Sequence, residues 1–258
     1  MLHNQSFIPL ILSLLAGLST VIGAFIVFFS KKQNKKLITF ALSFSAGVMI
    51  TVSFTDLFSS AEETLSKYNG NFKGVISALF FLSAGFLITF LIDKFIPDKT
   101  ADLYSNNPNK LYRVGFVSMI ALMIHNFPEG VATFVSGYES TSLGISITIA
   151  IALHNIPEGI SIAIPIYYST KSKAKAFKYT LYSGLAEPLG AFIAFLFLRP
   201  YINDIILAIT FALVAGIMLY ISFAELIPTA RKYNYQKTYI FSILFGIIVI
   251  TLSHLYGG

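Results

Sequence analysis

Apolar runs of about 20 residues follow one another along the whole chain, broken by short polar or basic connectors, and each is the length a helix needs to cross a hydrocarbon core. The pattern predicts eight spans, over residues 7–29, 37–59, 74–96, 114–137, 142–166, 176–198, 204–227 and 238–256. The longest connector runs from Asp98 to Arg113. Two spans are interrupted by copies of one polar hexapeptide: His125-Asn126-Phe127-Pro128-Glu129-Gly130 in the fourth and His154-Asn155-Ile156-Pro157-Glu158-Gly159 in the fifth. The copies start 29 residues apart, about one helix, a turn and a helix, so they are expected to face each other on neighbouring antiparallel spans.

Composition agrees with a membrane setting. Of 258 residues, 55% are hydrophobic and 12% charged, half the roughly 25% charged content of a soluble domain, and the mean hydropathy is +0.74. There is no cysteine, which removes thiolate chemistry, disulfides and Cys-based zinc sites. No basic segment precedes Phe7, so the first apolar run reads as a span and not as a cleavable signal. The net charge of +6 is a topology signal, not a nucleic-acid footprint. Fifteen of the 18 Lys and Arg residues fall in the connectors after spans one, three, five and seven or at the span ends that border them (Lys94, Lys178), and only Lys67, Lys73 and Arg199 fall on the other side. That bias predicts a multi-pass protein of the cell inner (plasma) membrane with both termini extracytoplasmic, which requires an even number of spans.

The chain also repeats itself. Leu14–Phe28 aligns with Leu181–Phe195 at an offset of 167, and Ala46–Ala61 with Ala215–Ala230 at an offset of 169, pairing Asp56 with Glu225. Spans one to three thus correspond to spans six to eight, and an odd separation of five spans reverses the direction of crossing. The predicted fold is an all-α polytopic membrane protein, one transmembrane domain over residues 1–258. Its eight helices are arranged 3+2+3 as inverted-topology repeats: repeat one at about 7–96, a central pair at about 114–166 and repeat two at about 176–256.

Ionisable groups at membrane depth are costly and mark function. His and Glu four residues apart share a helical face, so His125 and Glu129 converge on one point, and His154 and Glu158 meet them from the opposing helix. Two imidazoles and two carboxylates suit a first-row divalent cation, and the two Glu charges offset its own. Pro128 and Pro157 are expected to free the carbonyls of Ile124 and Leu153 and kink their helices, and Gly130 and Gly159 to permit close helix approach. Asn126 and Asn155 lie about 100° round from the His residues and offer carbonyl oxygens for a second, harder site. Glu129 and Glu158, with two oxygens each, can bridge the two sites. Glu187, in Gly184-Leu185-Ala186-Glu187-Pro188, is a third intramembrane acid with no Lys or Arg within any span available to neutralise it apart from Lys94 and Lys178 at span ends, and is assigned to the second site. Asp56 and Glu225 are read as solvated vestibule residues rather than ligands.

On the hexapeptides and the Gly184–Glu187 segment, the chain resembles the ZIP (Zrt-, Irt-like protein) metal transporter family, in its bacterial branch, over essentially its whole length. The resemblance implies eight spans, extracytoplasmic termini and a binuclear centre between spans four and five, with one metal on His125, Glu129, His154 and Glu158 and another on Asn126, Glu129, Asn155, Glu158 and Glu187. It implies inward transport of Zn(II), with Fe(II), Mn(II), Co(II) and Cd(II) as further substrates; the metal is cargo and not a cofactor. Two departures stand out: the connector after span three contains no His, so a metal-sensing loop there is in doubt, and Pro188 follows the span-six Glu. The expected partners are divalent metal ions and the lipid bilayer, with homodimerisation open. Two other readings use the same ligands. An intramembrane metalloenzyme is disfavoured, because Asn126 and Asn155 occupy the place of the general-base Glu in the zinc-protease motif. A divalent-cation channel differs in kinetics rather than in ligands.

Overall fold

The computed structural model describes residues 7–29, 35–95 and 108–257. Among them are helices and no strands. Eight helical rods follow in chain order: α1 (Phe7–Phe29), α2 (Lys35–Asn69), α3 (Asn71–Phe95), α4 (Pro108–Glu139), α5 (Thr141–Thr170), α6 (Lys173–Tyr201), α7 (Asp204–Arg231) and α8 (Gln236–Gly257). Six of them, α1, α2, α3, α5, α6 and α7, are long and apolar enough to cross a membrane, and α8 carries a shorter apolar stretch over Gln236–Leu252. The chain is a polytopic all-α membrane protein.

Helix ends depart from the apolar runs for local reasons. α4 begins at Pro108, six residues before the apolar run, because a proline at the first helical position loses no hydrogen bond and has the helical φ already set. Residues 98–107 of the expected connector lie outside the described residues. α2 continues past its apolar run as Ser59–Asn69, a segment that buries Ala61 and Leu65 and carries Glu62, Glu63 and Lys67 on its more exposed positions. It stops at Gly70, whose φ of +82° is open to glycine at no steric cost. α5 ends at Lys171 in the left-handed conformation, and Ser140 and Ser172 cap the starts of α5 and α6. Single π-helical turns interrupt α2 at Ser53–Phe58, α6 at Ala194–Leu198 and α7 at Ser222–Leu226. Such turns insert an extra residue and re-aim the side chains beyond them.

The rods pack in two groups. α1, α4, α5 and α6 form one bundle, in which α1 lies against α5 and α6 and α4 against α5 and α6. α2, α3, α7 and α8 form the other, through α2 on α8 and α3 on α7. The groups meet where α2 crosses α5 and α4 crosses α7. Lipid is as apolar as Leu, so burial of apolar area gives helices in a membrane little reason to associate, and small residues that let backbones touch carry the packing instead. That is the pattern here. A Cβ added at Gly130 would lie 1.8 Å from the Glu187 carbonyl oxygen, and one at Gly159 1.8 Å from that of Thr20. Gly23 meets the Ile156 carbonyl and Gly190 that of Phe127, while Gly17 and Gly184 each meet the other's carbonyl. In the second bundle, Gly85 meets Leu213, Gly216 meets Leu82, Gly47 meets Ile243 and Gly246 meets Phe44. Each of these approaches stays within one bundle.

The outward faces are apolar. Phe72 and Phe80 on α3 and Phe241 on α8 are 80%, 66% and 62% exposed, as side chains that meet lipid rather than water. Replacing Gly159 by Ala should force α5 away from Thr20 and cost about 1–3 kcal/mol, the usual range for overpacking. The check is a lowered thermal-unfolding midpoint of purified protein in detergent, with Phe80→Leu on the lipid face leaving it unmoved.

Candidate metal centre

Each hexapeptide lies within its helix, with the Pro at an interior position, and α4 and α5 continue through Pro128 and Pro157 without ending. The i,i+4 spacing sets His and Glu on one face of each helix, and the packing of α4 on α5 turns these faces together. His125 Nε2 lies 3.2 Å from Glu129 Oε1 and 3.4 Å from Glu158 Oε1. His154 Nε2 lies 3.0 Å from Glu129 Oε1, and the two imidazole centroids are 6.4 Å apart. Ligand atoms of His125, Glu129 and His154 fall within 4.8 Å of one another. None of these three residues, nor Glu158, is more than 3% exposed.

The two Asn side chains reach the flanking helices. Asn126 Nδ2 donates to the Ser183 carbonyl of α6 at 3.2 Å. Asn155 Nδ2 donates to the Ala16 carbonyl of α1 at 3.1 Å and to Glu187 Oε2 at 2.8 Å. With the amide nitrogens so engaged, both Asn Oδ1 atoms are left without a hydrogen bond, as are Glu129 Oε2, both oxygens of Glu158 and Glu187 Oε1. Glu187 is fully buried, and no Lys or Arg is among the buried residues of the described chain. Buried acceptors without donors are costly, and buried carboxylates without cations more so. A dication among these oxygens and imidazoles would supply the missing partner, and the mixed N/O donor set is one that first-row divalent ions accept.

Of the seven residues singled out from the sequence, His125, Glu129, His154 and Glu158 come together directly. Glu187 is hydrogen-bonded to Asn155, the residue after His154, and Asn126 is held against the α6 backbone. Asp56 and Glu225 both fall in π-helical turns. Asp56 Oδ2 accepts from Thr55 Oγ1 at 2.8 Å, and Glu225 lines a cavity of about 510 Å³ between α3, α4, α6 and α7. His125 lines the same cavity, whose remaining wall is largely apolar apart from Asp93, which accepts from Tyr220 at 2.8 Å. Sequence reasoning had not found the backbone partners Ala16 and Ser183, nor Ser45, whose hydroxyl donates to the His154 carbonyl across the bundle interface at 3.5 Å. The signal for the first two was present: Ala16 and Ser183 are related by the same offset of 167 that aligns α1 with α6.

Paired helices carrying a buried His/Glu cluster in a multi-pass bundle define a membrane protein with a candidate metal site in its interior. The profile of the ZIP zinc transporter family matches residues 98–254. Proteins called zinc transporter ZupT are similar over nearly the full length. That of Clostridium perfringens is 45% identical over 97% of this chain and 96% of its own length. Those of Streptococcus mutans and Oceanobacillus iheyensis are both 44% identical, over 98% and 97% of this chain and 98% of their own lengths. The chain belongs to the ZIP family, whose members are transporters and not enzymes.

Loss of one imidazole should be read directly in metal binding. His154→Ala is expected to weaken Co(II) binding by more than about 100-fold, beyond the cost of losing an outer-shell partner, as followed by the visible absorption of the bound ion. Ser45→Ala, which removes long hydrogen bonds to the His154 carbonyl and to Met49 Sδ but no ligand atom, should leave the titration unchanged.

Proposed function

We propose that this chain carries Zn(II) across the cell inner membrane into the cytoplasm, with Fe(II), Mn(II), Co(II) and Cd(II) as further substrates, through a binuclear site between α4 and α5. The observation that carries the proposal is the convergence of His125, Glu129, His154 and Glu158 in the packed interior, with ligand atoms of three of them inside 4.8 Å. One ion sits on those four residues. A second sits on Asn126, Glu129, Asn155, Glu158 and Glu187, with the two hexapeptide glutamates shared. Each ion thereby meets at least two carboxylates, which offset the cost of removing a dication from water. Carboxylates also exchange for water more readily than a thiolate cage, which suits cargo that must be released.

The bias of basic residues supports extracytoplasmic termini, although Lys31, Lys32 and Lys99 lie outside the described residues. On that topology the cavity that reaches His125 sits among the C-terminal halves of α3 and α7, on the cytoplasmic side, and offers the ion a way out past Glu225 and Asp93. Inverted 3+2+3 repeats are the construction proposed for the domain. Supporting it are contacts that recur in pairs: Gly130 on Glu187 with Gly159 on Thr20 and Gly190 on Phe127 with Gly23 on Ile156, both at the offsets of 167 and 29, and Gly47 on Ile243 with Gly216 on Leu82, at 169 between the glycines and 161 between their partners. Glycine approaches confined within each bundle support rigid bodies, so alternating access is proposed to occur as one bundle rocks against the other.

Uptake of radioactive zinc into vesicles is expected from the unaltered chain and is expected to vanish for Glu129→Ala and Glu158→Ala proteins that still reach the membrane. Undiminished uptake by either variant would overturn the assignment. A competition panel of Fe(II), Mn(II), Co(II) and Cd(II) in the same vesicles sets the substrate range.

A further inference from the structure

The helix α1 contributes no residue to the ligand sets above, yet it passes through the same packed interior. We propose that Thr20 of α1 is a further residue of the second metal site, where its hydroxyl stands as the uncharged counterpart of Glu187; this deepens, and rests on, the binuclear reading.

Three observations converge on it. First, Thr20 is fully buried and its Oγ1 has no hydrogen-bond partner. A threonine inside a helix ordinarily returns its hydroxyl to the carbonyl four residues back, as Thr39, Thr51, Thr148, Thr180 and Thr210 all do here. Thr20 forgoes that bond in an interior where an unmade one is costly.

Second, its position matches that of Glu187. α1 and α6 cross at Gly17 and Gly184, each of which meets the other's carbonyl. Gly17 also approaches Pro188, and Gly184 approaches Thr20 Oγ1 (3.2 Å from an added Cβ), so the helices run antiparallel through the crossing. Thr20 lies three residues beyond Gly17, and Glu187 three residues beyond Gly184. Side chains on a helix lean toward its own N-terminus, so both lean back to the crossing from opposite sides.

Third, the groups around that crossing belong to the second site. Asn155 Nδ2 bridges the Ala16 carbonyl, one turn before Thr20, and Glu187 Oε2. The Thr20 carbonyl packs on Gly159, the residue after Glu158. Glu187 Oε1 and Asn155 Oδ1 are themselves without hydrogen bonds. A hydroxyl can serve both occupancy states through one atom: it donates to a carboxylate when the ion is absent and offers a lone pair when it is present. A second carboxylate in its place would add charge that no neighbouring Lys or Arg offsets.

The test is calorimetric titration of the purified full-length chain with Zn(II), alongside Thr20→Val, which keeps the shape and removes the hydroxyl, and Thr20→Ser, which keeps the hydroxyl. Two binding events are expected for the unaltered chain. Thr20→Val should weaken one of them by at least about tenfold, the loss typical of a supporting partner of a metal site, and leave the other in place; Thr20→Ser should restore both. Should Thr20→Val fail to fold, Thr20→Ala is read in the same way. Two unchanged events in the hydroxyl-free variant, or equal weakening in Thr20→Ser, would overturn the role of Thr20 while leaving the binuclear site standing. A single event in the unaltered chain would instead overturn the binuclear reading, and the assignment of Thr20 with it.

Discussion

Three carboxylates buried among apolar helices, with no Lys or Arg buried among the described residues, are the constraint from which the rest of this structure follows. Charge in such a place is tolerated only if something holds it, and in this protein the holding is shared among four helices. Glu129 takes both imidazoles, Asn155 ties Glu187 to α1, and Asn126 ties α4 to α6. Apart from the His125–Glu129 pair within α4, each tie runs from a side chain of the central pair to α1, to α6 or across the pair. The cluster therefore links the same helices that the glycine contacts press together.

The glycines make this possible by removing distance. Where Gly130 touches the Glu187 carbonyl, and Gly159 that of Thr20, backbones approach without an intervening side chain. Short side chains such as Asn can then reach a neighbouring helix's carbonyls, which they could not do across a Leu-packed gap. Close backbone approach and polar coordination are thus one design and not two. The second bundle uses the same glycine contacts, and around Phe211, Met218 and Met49 its buried polar groups are hydroxyls, such as Ser53 and Ser222, which donate to the carbonyls of Met49 and Met218.

Much of this was legible in the sequence. Eight apolar runs, a doubled hexapeptide and a lone acid beside a proline pointed to an all-α membrane protein and to the residues around its centre. The grouping of helices was not legible, because lipid and protein interior are equally apolar and the faces of α3 that meet Leu213 or lipid look alike by composition. Helix ends escaped for a related reason: hydropathy marks where hydrocarbon ends, whereas Gly70 and Pro108 mark where the helix does. Ala16 and Ser183 act through backbone carbonyls, which no side-chain motif announces. Thr20 was hidden by its ordinariness, since a threonine in a membrane helix usually satisfies itself.

The glycine seams also bear on how such a chain can change over time. A helix contact made by side chains can drift, with a larger residue on one face matched by a smaller one opposite. A contact between a Cα and a carbonyl has no partner able to shrink, so neither side can compensate for the other. Substitution is thereby channelled outward, to Phe72, Phe80, Phe241 and the other lipid-facing positions, where neighbours are fluid. Two chains of this kind that differ at half their residues can keep their inner backbones superposable while sharing almost nothing on the face they show to the membrane.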